Sequence, residues 1–491
     1  MIDSLKSSSS LLTFKQVMMM QEFHLDGTWW IPDEQGRRFA GTLTFDHHLR
    51  RCELSITSGS DFEDSLMGNH DLRPKHDIML GVASDGQRVT LIDCERKGWC
   101  RNLREDVGWH AFAPTYVLLG DYFERPEDII FDSISVTYSG KEVNDWIRRV
   151  QFQAIVNSHD SAKVKIRESY NISLLSCKPK SLSGSEGEEQ KQSHKKAAIP
   201  CIEIESLKEQ KKSLEDYLKV NLIVFDFLNF VITEEVHIES IHGLRKNRKA
   251  SKENKNNNNN NTSANLQEEN KPDEIRIFYH YAISGMFKSP HSKSAPLFPH
   301  EAERDATETL LKKYLRNWFT LSYKARPFVE LYFGVMYNPE MYGRFKFLGL
   351  AQALEAYHVA CKEPPTSPKW NNQIQVIKKI YPQIPKGCVD KIKDCHKPYY
   401  RDRVAEVYEE HSELADKLFH ITDRKGKFIR RVASTRNYYS HAAKGKKKGI
   451  VYEEKMLSLI LDLQLLLHFA IMKEIGFTEE EIIQKYAIDK W

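Results

Sequence analysis

Arg436 and His441 stand five positions apart in the run Arg436-Asn437-Tyr438-Tyr439-Ser440-His441. A guanidinium is an always-charged fork of donors that fits phosphate, and an imidazole titrates near neutrality and can take a proton there. Cleaving a phosphodiester that carries its own nucleophile, the neighbouring 2′-hydroxyl, makes three demands. A base removes the 2′ proton, a cation steadies the extra charge on phosphorus, and an acid protonates the departing 5′ oxygen. His441 suits the first role and Arg436 the second. Asn437, one turn before His441, can hold the imidazole or the 2′-hydroxyl. RNA offers that nucleophile and DNA does not, and the route calls for neither metal nor cofactor.

The charge around this run points to the same kind of ligand. Residues 424–448 hold ten Lys or Arg and no Asp or Glu, while the whole chain is only +4, so the remainder sums to −6. Arg430, Arg431, Lys444, Lys446, Lys447 and Lys448 are the candidate phosphate contacts. The plainer reading of the lysines is a solvated helix end that suits the helix dipole. Phe428, Val432, Thr435, Tyr439 and Ala442 recur at helical spacing, which predicts an amphipathic helix stopped by Gly445. On an earlier helix, FLGLAQALEAYH (347–358), Glu355 and His358 share one face. They are candidates for orienting the catalytic groups, with a helix-surface pair or a satisfied core group as the plainer alternative.

Other chemistries lack their residues. GKKKG (445–449) has neither the spacing nor the ending of a phosphate-cradling loop. No PCxxC accompanies His237-Ile238-Glu239, which excludes a zinc deaminase, and Cys388, Cys395 and His396 lack a fourth ligand and known zinc spacing. A second Arg…His pair, Arg104…His110, falls in a turn-like segment with nothing to fix the two side chains together.

The elements that must position the site fall into two classes. GTWWIP, RFAGTLTF, RCELSIT, HDIMLGVA, QRVTLIDC, HAFAPTYVLLGDYF and IIFDSISVTYSG are short β runs between turn signals, predicting an antiparallel sandwich or barrel-like domain. Residues 1–22 form a loose lead-in, and 141–240 are mixed, with a polar break at 181–196 and a strand-like IPCIEIESL. The low-complexity stretch 246–274, KENKNNNNNN at its heart, has almost nothing to bury and is expected as an insertion within the N-terminal half. IRIFYHYAI (275–283) resumes the strand pattern. From about Pro299 the pattern turns helical and predicts a bundle, with the apolar run 456–472 as its most buried helix. That run, with Asp462, Gln464 and His468 in it, is short for a membrane span. Hydrophobic content of 41% and charged content of 29% suit a soluble protein of two or three domains. The N-terminus is not that of a signal peptide, and eight cysteines without a CxxC pair predict free thiols and a cytoplasmic location.

Residues 299–491 resemble a HEPN domain, whose signature is this Arg-polar-x3-His on a bundle helix. More narrowly, the chain is similar to the ApeA-like abortive-infection proteins of bacteria. The likeness is carried by FLGLAQALEAYH, TRNYYSH (435–441), GTLTF (41–45) and LLGDYFERPEDIIFDSISVTYSG (118–140) leading to Asp145-Trp146. It implies an α+β multidomain chain: a β-rich N-terminal region over 23–298 that senses an infection product, then an all-α HEPN ribonuclease domain over 299–491. It also implies a homodimer that brings two such helices together, so that a second His441, or Tyr438, supplies the acid. The substrate is then RNA, with tRNA or another structured RNA among the candidates, and the products a 2′,3′-cyclic phosphate and a 5′-hydroxyl. The competing expectation is a HEPN module that binds RNA or protein without cutting.

Overall fold

A computed structural model describes residues 22–32, 37–46, 51–58, 75–102, 107–140, 143–144, 163–166, 170–177, 199–206, 211–232, 236–245, 273–279, 304–362, 368–389, 398–418, 425–441 and 449–487. The chain forms two compact units, Met1–Leu222 with Val236–Ala282, and Ile223–Glu235 with Ile283–Trp491. The expected boundary at Pro299 lies outside the described residues.

The first unit is antiparallel β-structure. Strands β1 (Phe23–Trp30), β2 (Phe39–Asp46), β3 (Arg51–Ser58), β4 (Lys75–Ala83), β5 (Arg88–Asn102) and β6 (Val107–Ala113) pair in the closed order β1-β2-β3-β6-β5-β4-β1. The region is thus barrel-like, and closure removes the exposed strand edges that a sandwich would leave. Alternation explains the strands: Leu43 and Phe45 on β2, and Cys52, Leu54 and Ile56 on β3, point inward at every second residue. Trp29 fills the interior and donates from Nε1 to the Gly41 carbonyl at 3.0 Å. Its ring lies so close to the backbone of Gly81 that a Cβ there would overlap it.

The long β5 serves two partners along one edge: Glu95–Asn102 pairs with β6, and Val89–Ile92 pairs with β7 (Tyr116–Leu119). From β7 the sheet continues through β15 (Asp273–Tyr279), β14 (Ile238–Arg245), β9 (Ser133–Tyr138), β12 (Ile199–Ser206), β11 (Tyr170–Cys177) and β10 (Lys163–Ile166). The short β8 (Ile130–Phe131) and β13 (Lys212–Ser213) pair separately. β14 and β15 pair from Ile241↔Ile277 to Arg245↔Asp273, so the Asn-rich tract connects two neighbouring strands. Cys52, Cys94, Cys361 and Cys388 are free thiols. Cys201 departs from the expectation of free thiols because it is disulfide-bonded.

Helix α1 (Leu214–Val231) contributes residues to both units. In the first unit, Tyr217 donates to the Asp132 carbonyl at 2.6 Å, and Tyr138 donates to Asn221 Oδ1. The second unit holds the rest of α1 and helices α2 (Arg304–Lys324), α3 (Arg326–Met336), α4 (Gly343–Cys361), α5 (Pro368–Ile380), α6 (Tyr400–Glu410), α7 (Ser412–Leu418), α8 (Lys425–His441), α9 (Glu453–Ile475) and α10 (Glu479–Ala487). The long helical stretch after residue 304 breaks at Ala325, just before Pro327, and the stretch after Tyr400 breaks at His411.

α9 is the spine. It is long and apolar enough to cross a membrane, but most of that apolar stretch is buried within the unit: Leu463, Leu466, Leu467, Phe469, Ala470 and Ile471 are all at most 2% exposed. Its His468 stacks on Phe230, ring centroids 4.3 Å apart, and shares a 3.0 Å hydrogen bond with the Tyr332 hydroxyl. Trp318, fully buried, donates to the Ile223 carbonyl at 2.8 Å.

Candidate active site and its basic cleft

α8 is held by one apolar face. Phe428, Ile429, Val432, Ala433 and Thr435 are buried, whereas Lys427, Arg430, Asn437 and Ser440 are exposed. Tyr439, expected on the apolar stripe, is half-buried, and Ala442 and Gly445 lie outside the described residues. Thr435 does more than pack, since its hydroxyl accepts the Val451 backbone N–H at 3.0 Å in a buried setting. That bond staples the returning chain to the helix. Gly449 allows the return: it sits at φ +97°, and a Cβ there would stand 3.2 Å from Ser434 Oγ and 3.3 Å from Arg430 Cγ.

Arg436 is engaged on three sides. Its Nη2 donates to Glu355 Oε2 at 3.0 Å, and its Nη1 donates to Asn437 Oδ1 at 3.3 Å. The guanidinium carbon lies 4.8 Å from the ring centre of Tyr400. Tyr400 is itself fixed from below by a 3.1 Å bond from its hydroxyl to the Ala351 carbonyl. Burial pushes that hydroxyl well above the ordinary tyrosine range, with the Arg436 charge opposing. Glu355 and Ala351 both belong to α4, so one helix supplies the carboxylate and the seat of the ring that together orient the guanidinium.

His358, the other candidate on α4, takes no part in this cluster. It is 1% exposed, with Nε2 2.5 Å from Glu406 Oε2 and Nδ1 3.2 Å from Arg403 Nη1. Arg403 can only donate, so Nδ1 accepts and Nε2 carries the hydrogen toward Glu406. His358 ties α4 to α6. Tyr438 is half-buried and meets the rings of Tyr439 and Tyr452 edge-on at 5.0 and 6.0 Å. His441 is the last residue of α8, one helical turn after Asn437. Its side chain and residues Lys444, Lys446, Lys447 and Lys448 lie outside the described set.

Beside the helix runs a cleft of about 1010 Å³. Five cations line it: Arg344 from α4, Lys427, Arg430 and Arg431 from α8, and Lys455 from α9. Tyr439 and Tyr452 also face it, and among the described residues no carboxylate lines it. The Arg344 guanidinium spans two rings, 5.6 Å from Tyr439 and 5.3 Å from Tyr342. Arg430 and Arg431 are among the phosphate contacts the sequence predicts, and the cleft adds Arg344, Lys427, Lys455 and Tyr452 to them. Lys427 sits in the run itself. The basic-aromatic Tyr342-Gly343-Arg344-Phe345 is a faint signal for Arg344, while Lys455 follows two glutamates and offers none.

Elsewhere, His110 is buried on β6 and its pKa falls to about 4, chiefly by desolvation and secondarily from the Arg96 charge. Its sequence partner Arg104 lies outside the described residues. Among the described residues no group of three or more His, Cys, Asp or Glu is placed to hold a metal, and Cys395 and His396 fall outside them.

Two family models match the chain: ApeA N-terminal domain 1 over residues 24–314, and Apea-like HEPN over 348–481. No curated protein and no solved structure matches. The first match alone spans more than half of the 491 residues, and the second contains α8 with Arg436 and His441. HEPN domains are generally associated with ribonucleases, and this combination of domains with anti-phage defence. The chain belongs to the ApeA family and is an ApeA-like HEPN abortive-infection protein.

Proposed function

We propose that this protein is a metal-independent endoribonuclease of anti-phage abortive infection, cutting RNA by attack of its own 2′-hydroxyl. His441 removes the 2′ proton. The 2′ oxygen then forms its bond to phosphorus, and Arg436 balances the charge that gathers on the non-bridging oxygens. As the P–O5′ bond breaks, an acid protonates O5′, leaving a 2′,3′-cyclic phosphate and a 5′-hydroxyl. A single imidazole does not serve both proton transfers in one step, so the acid is Tyr438 or the His441 of a second copy in a homodimer. The observation that carries the reading is the ion pair of Arg436 with Glu355, which holds a guanidinium on the helix that ends in His441. A fork of five N–H donors lets one guanidinium serve a protein carboxylate and a phosphate together.

The same ion pair favours a second reading, in which Arg436 is a structural tie and the domain binds RNA without cutting it. Incubating purified protein with total RNA in EDTA separates the two. The nuclease yields discrete fragments and its His441→Ala variant does not, whereas a binding module leaves the RNA intact at any protein concentration. The N-terminal unit is proposed as the sensor of an infection product. Unchanged triggering by phage in cells carrying a chain without residues 24–206, which keeps the Ile223–Glu235 segment that belongs to the second unit, would remove that role.

A further inference from the structure

We propose that the cation-lined cleft is a lane for an unpaired polynucleotide strand, so that the protein takes single-stranded stretches of RNA and leaves duplex alone. The proposal rests on the ribonuclease reading only for what happens to the strand after it binds. The shape argues first. From Lys427 to Tyr439 the lining runs twelve residues along α8, about 18 Å at ~1.5 Å per residue. A point anion such as free phosphate would be served by one or two of these cations. Three of them fall within Lys427–Arg431, about 6 Å of helix at ~1.5 Å per residue, and Arg344 lies over Tyr439 at the other end, so the charge extends beyond one phosphate.

The rings argue second. Outside the lining but flanking Arg344 in the chain, Tyr342 is 51% exposed and Phe345 64% exposed, and Tyr452 in the lining is 49% exposed. Tyr342 meets Phe345 edge-on at 6.3 Å, so these rings form a local group. Exposed rings beside a row of cations are what a strand with free base faces uses, because any base can stack on them. In a duplex those faces are covered by the neighbouring base pairs. Register argues third. Arg430 and His441 are eleven residues apart, about three helical turns at ~3.6 residues per turn, which puts them on one stripe of α8. A strand lying on Arg430 is thereby led along the helix toward its His441 end, while Arg436, outside the lining, faces Glu355 and Tyr400.

Stacking and phosphate contacts do not need a 2′-hydroxyl, so single-stranded DNA enters the lane and stays uncut. That makes it the probe. Fluorescence anisotropy of the full-length protein with a labelled 12-nucleotide DNA strand is compared with the same strand annealed to its complement, and repeated with single-stranded RNA on the His441→Ala protein. The expected result is single-strand affinity at least about ten-fold above duplex. Phe345→Ala should weaken single-strand binding about ten-fold and leave duplex binding unchanged. Arg344→Gln and Lys455→Gln should each flatten the slope of log affinity against log salt by about 0.7. Phe345 is largely exposed, so a thermal melt matching wild type confirms that its variant is folded. Equal affinity for duplex and single strand, or no effect of both Phe345→Ala and Arg344→Gln, overturns the lane. If strands bind as described but wild type never cuts RNA, the ribonuclease reading fails and the lane stands. If Phe345→Ala and Arg344→Gln cut RNA with wild-type KM, the lane fails and the ribonuclease stands.

Discussion

Replacing Glu355 with Gln removes one charge and keeps an amide oxygen where Arg436 Nη2 now meets a carboxylate at 3.0 Å. The two side chains are 35% and 19% exposed, so the pair sits at the edge of the protein and is partly screened by water. A charge-assisted bond contributes about 1.5–3 kcal/mol against about 0.5–1.5 for a neutral one, so the substitution should cost about 1 kcal/mol. For a helical unit of this size that is a fall in Tm of about 2–4 °C. The cation–π contact with Tyr400 survives and keeps the guanidinium near its place, though less firmly aimed. We expect kcat to fall about ten-fold, equivalent to ~1.4 kcal/mol, with KM within about two-fold of wild type because ground-state binding is not Glu355's task. Arg436→Ala should cost about 10²–10³-fold in kcat. The double variant should be no worse than Arg436→Ala alone, because Glu355 acts through Arg436. Single-turnover cleavage of an end-labelled RNA in EDTA, with a thermal melt of each variant, reads all of this. A kcat within two-fold of wild type in a folded Glu355→Gln protein refutes the positioning role. A faster variant would reverse it, since the carboxylate would then be restraining Arg436.

Three further outcomes follow from the geometry. Thr435→Val keeps the side-chain shape and leaves the buried Val451 N–H without its acceptor, so stability should drop by about 1–3 kcal/mol; an unchanged melt would show that the staple carries no weight. Burial raises the Asp226 pKa to about 7, opposed by the Tyr337 hydroxyl that donates to it at 2.6 Å. Below about pH 4 both folded and unfolded chains hold that proton; between about 4 and 7 the unfolded chain alone loses it, so stability declines with rising pH by about 4 kcal/mol and stays lower above 7. Asp226→Asn should therefore raise Tm at pH 8 and not at pH 4, and an equal effect at both pH values would contradict the assignment. Finally, if the acid comes from a second copy, cleavage should fall faster than linearly on dilution below the dimer dissociation constant; a rate strictly proportional to protein, with a monomeric mass by light scattering, would leave Tyr438 or water as the acid.

Periodicity made some of this legible. The spacing of Phe428, Val432 and Thr435 puts a helix under Arg436 and His441, and those three residues lie on its buried face, which Ile429 and Ala433 complete while Tyr439 is only half-buried. The apolar run 456–472 is the buried α9. What the sequence withheld is what depends on distant pairing. The Arg436–Glu355 contact joins residues 81 apart, and nothing in either local pattern says which residue on α4 turns toward α8. The pairings of β3 with β6 and of β5 with β6 close the barrel and leave no periodic trace, so the alternating runs fit a sandwich as well. α1, rich in Leu, Val and Phe, falls in the stretch expected to be mixed, because Val and Phe favour strands and the unbroken burial of Val224–Val231 hides a 3.6-residue period there. The cleft leaves no trace in the sequence for the same reason as the ion pair: Arg344, Lys455 and Tyr452 come from the starts of two helices and mean little until folding brings them beside α8.

The central claim, that the RNA's own 2′-hydroxyl is the nucleophile, is tested most directly at a single atom. Once a cut is mapped in a synthetic RNA, the same oligonucleotide is made with one 2′-deoxyribose on the 5′ side of the scissile bond and incubated with wild-type protein in EDTA. Cleavage at that bond should disappear while cuts elsewhere in the strand continue, and the unmodified control should end in a 2′,3′-cyclic phosphate. A cut that persists at the deoxy position would mean that water or a protein group attacks phosphorus, and the roles given to His441 and Arg436 would be wrong.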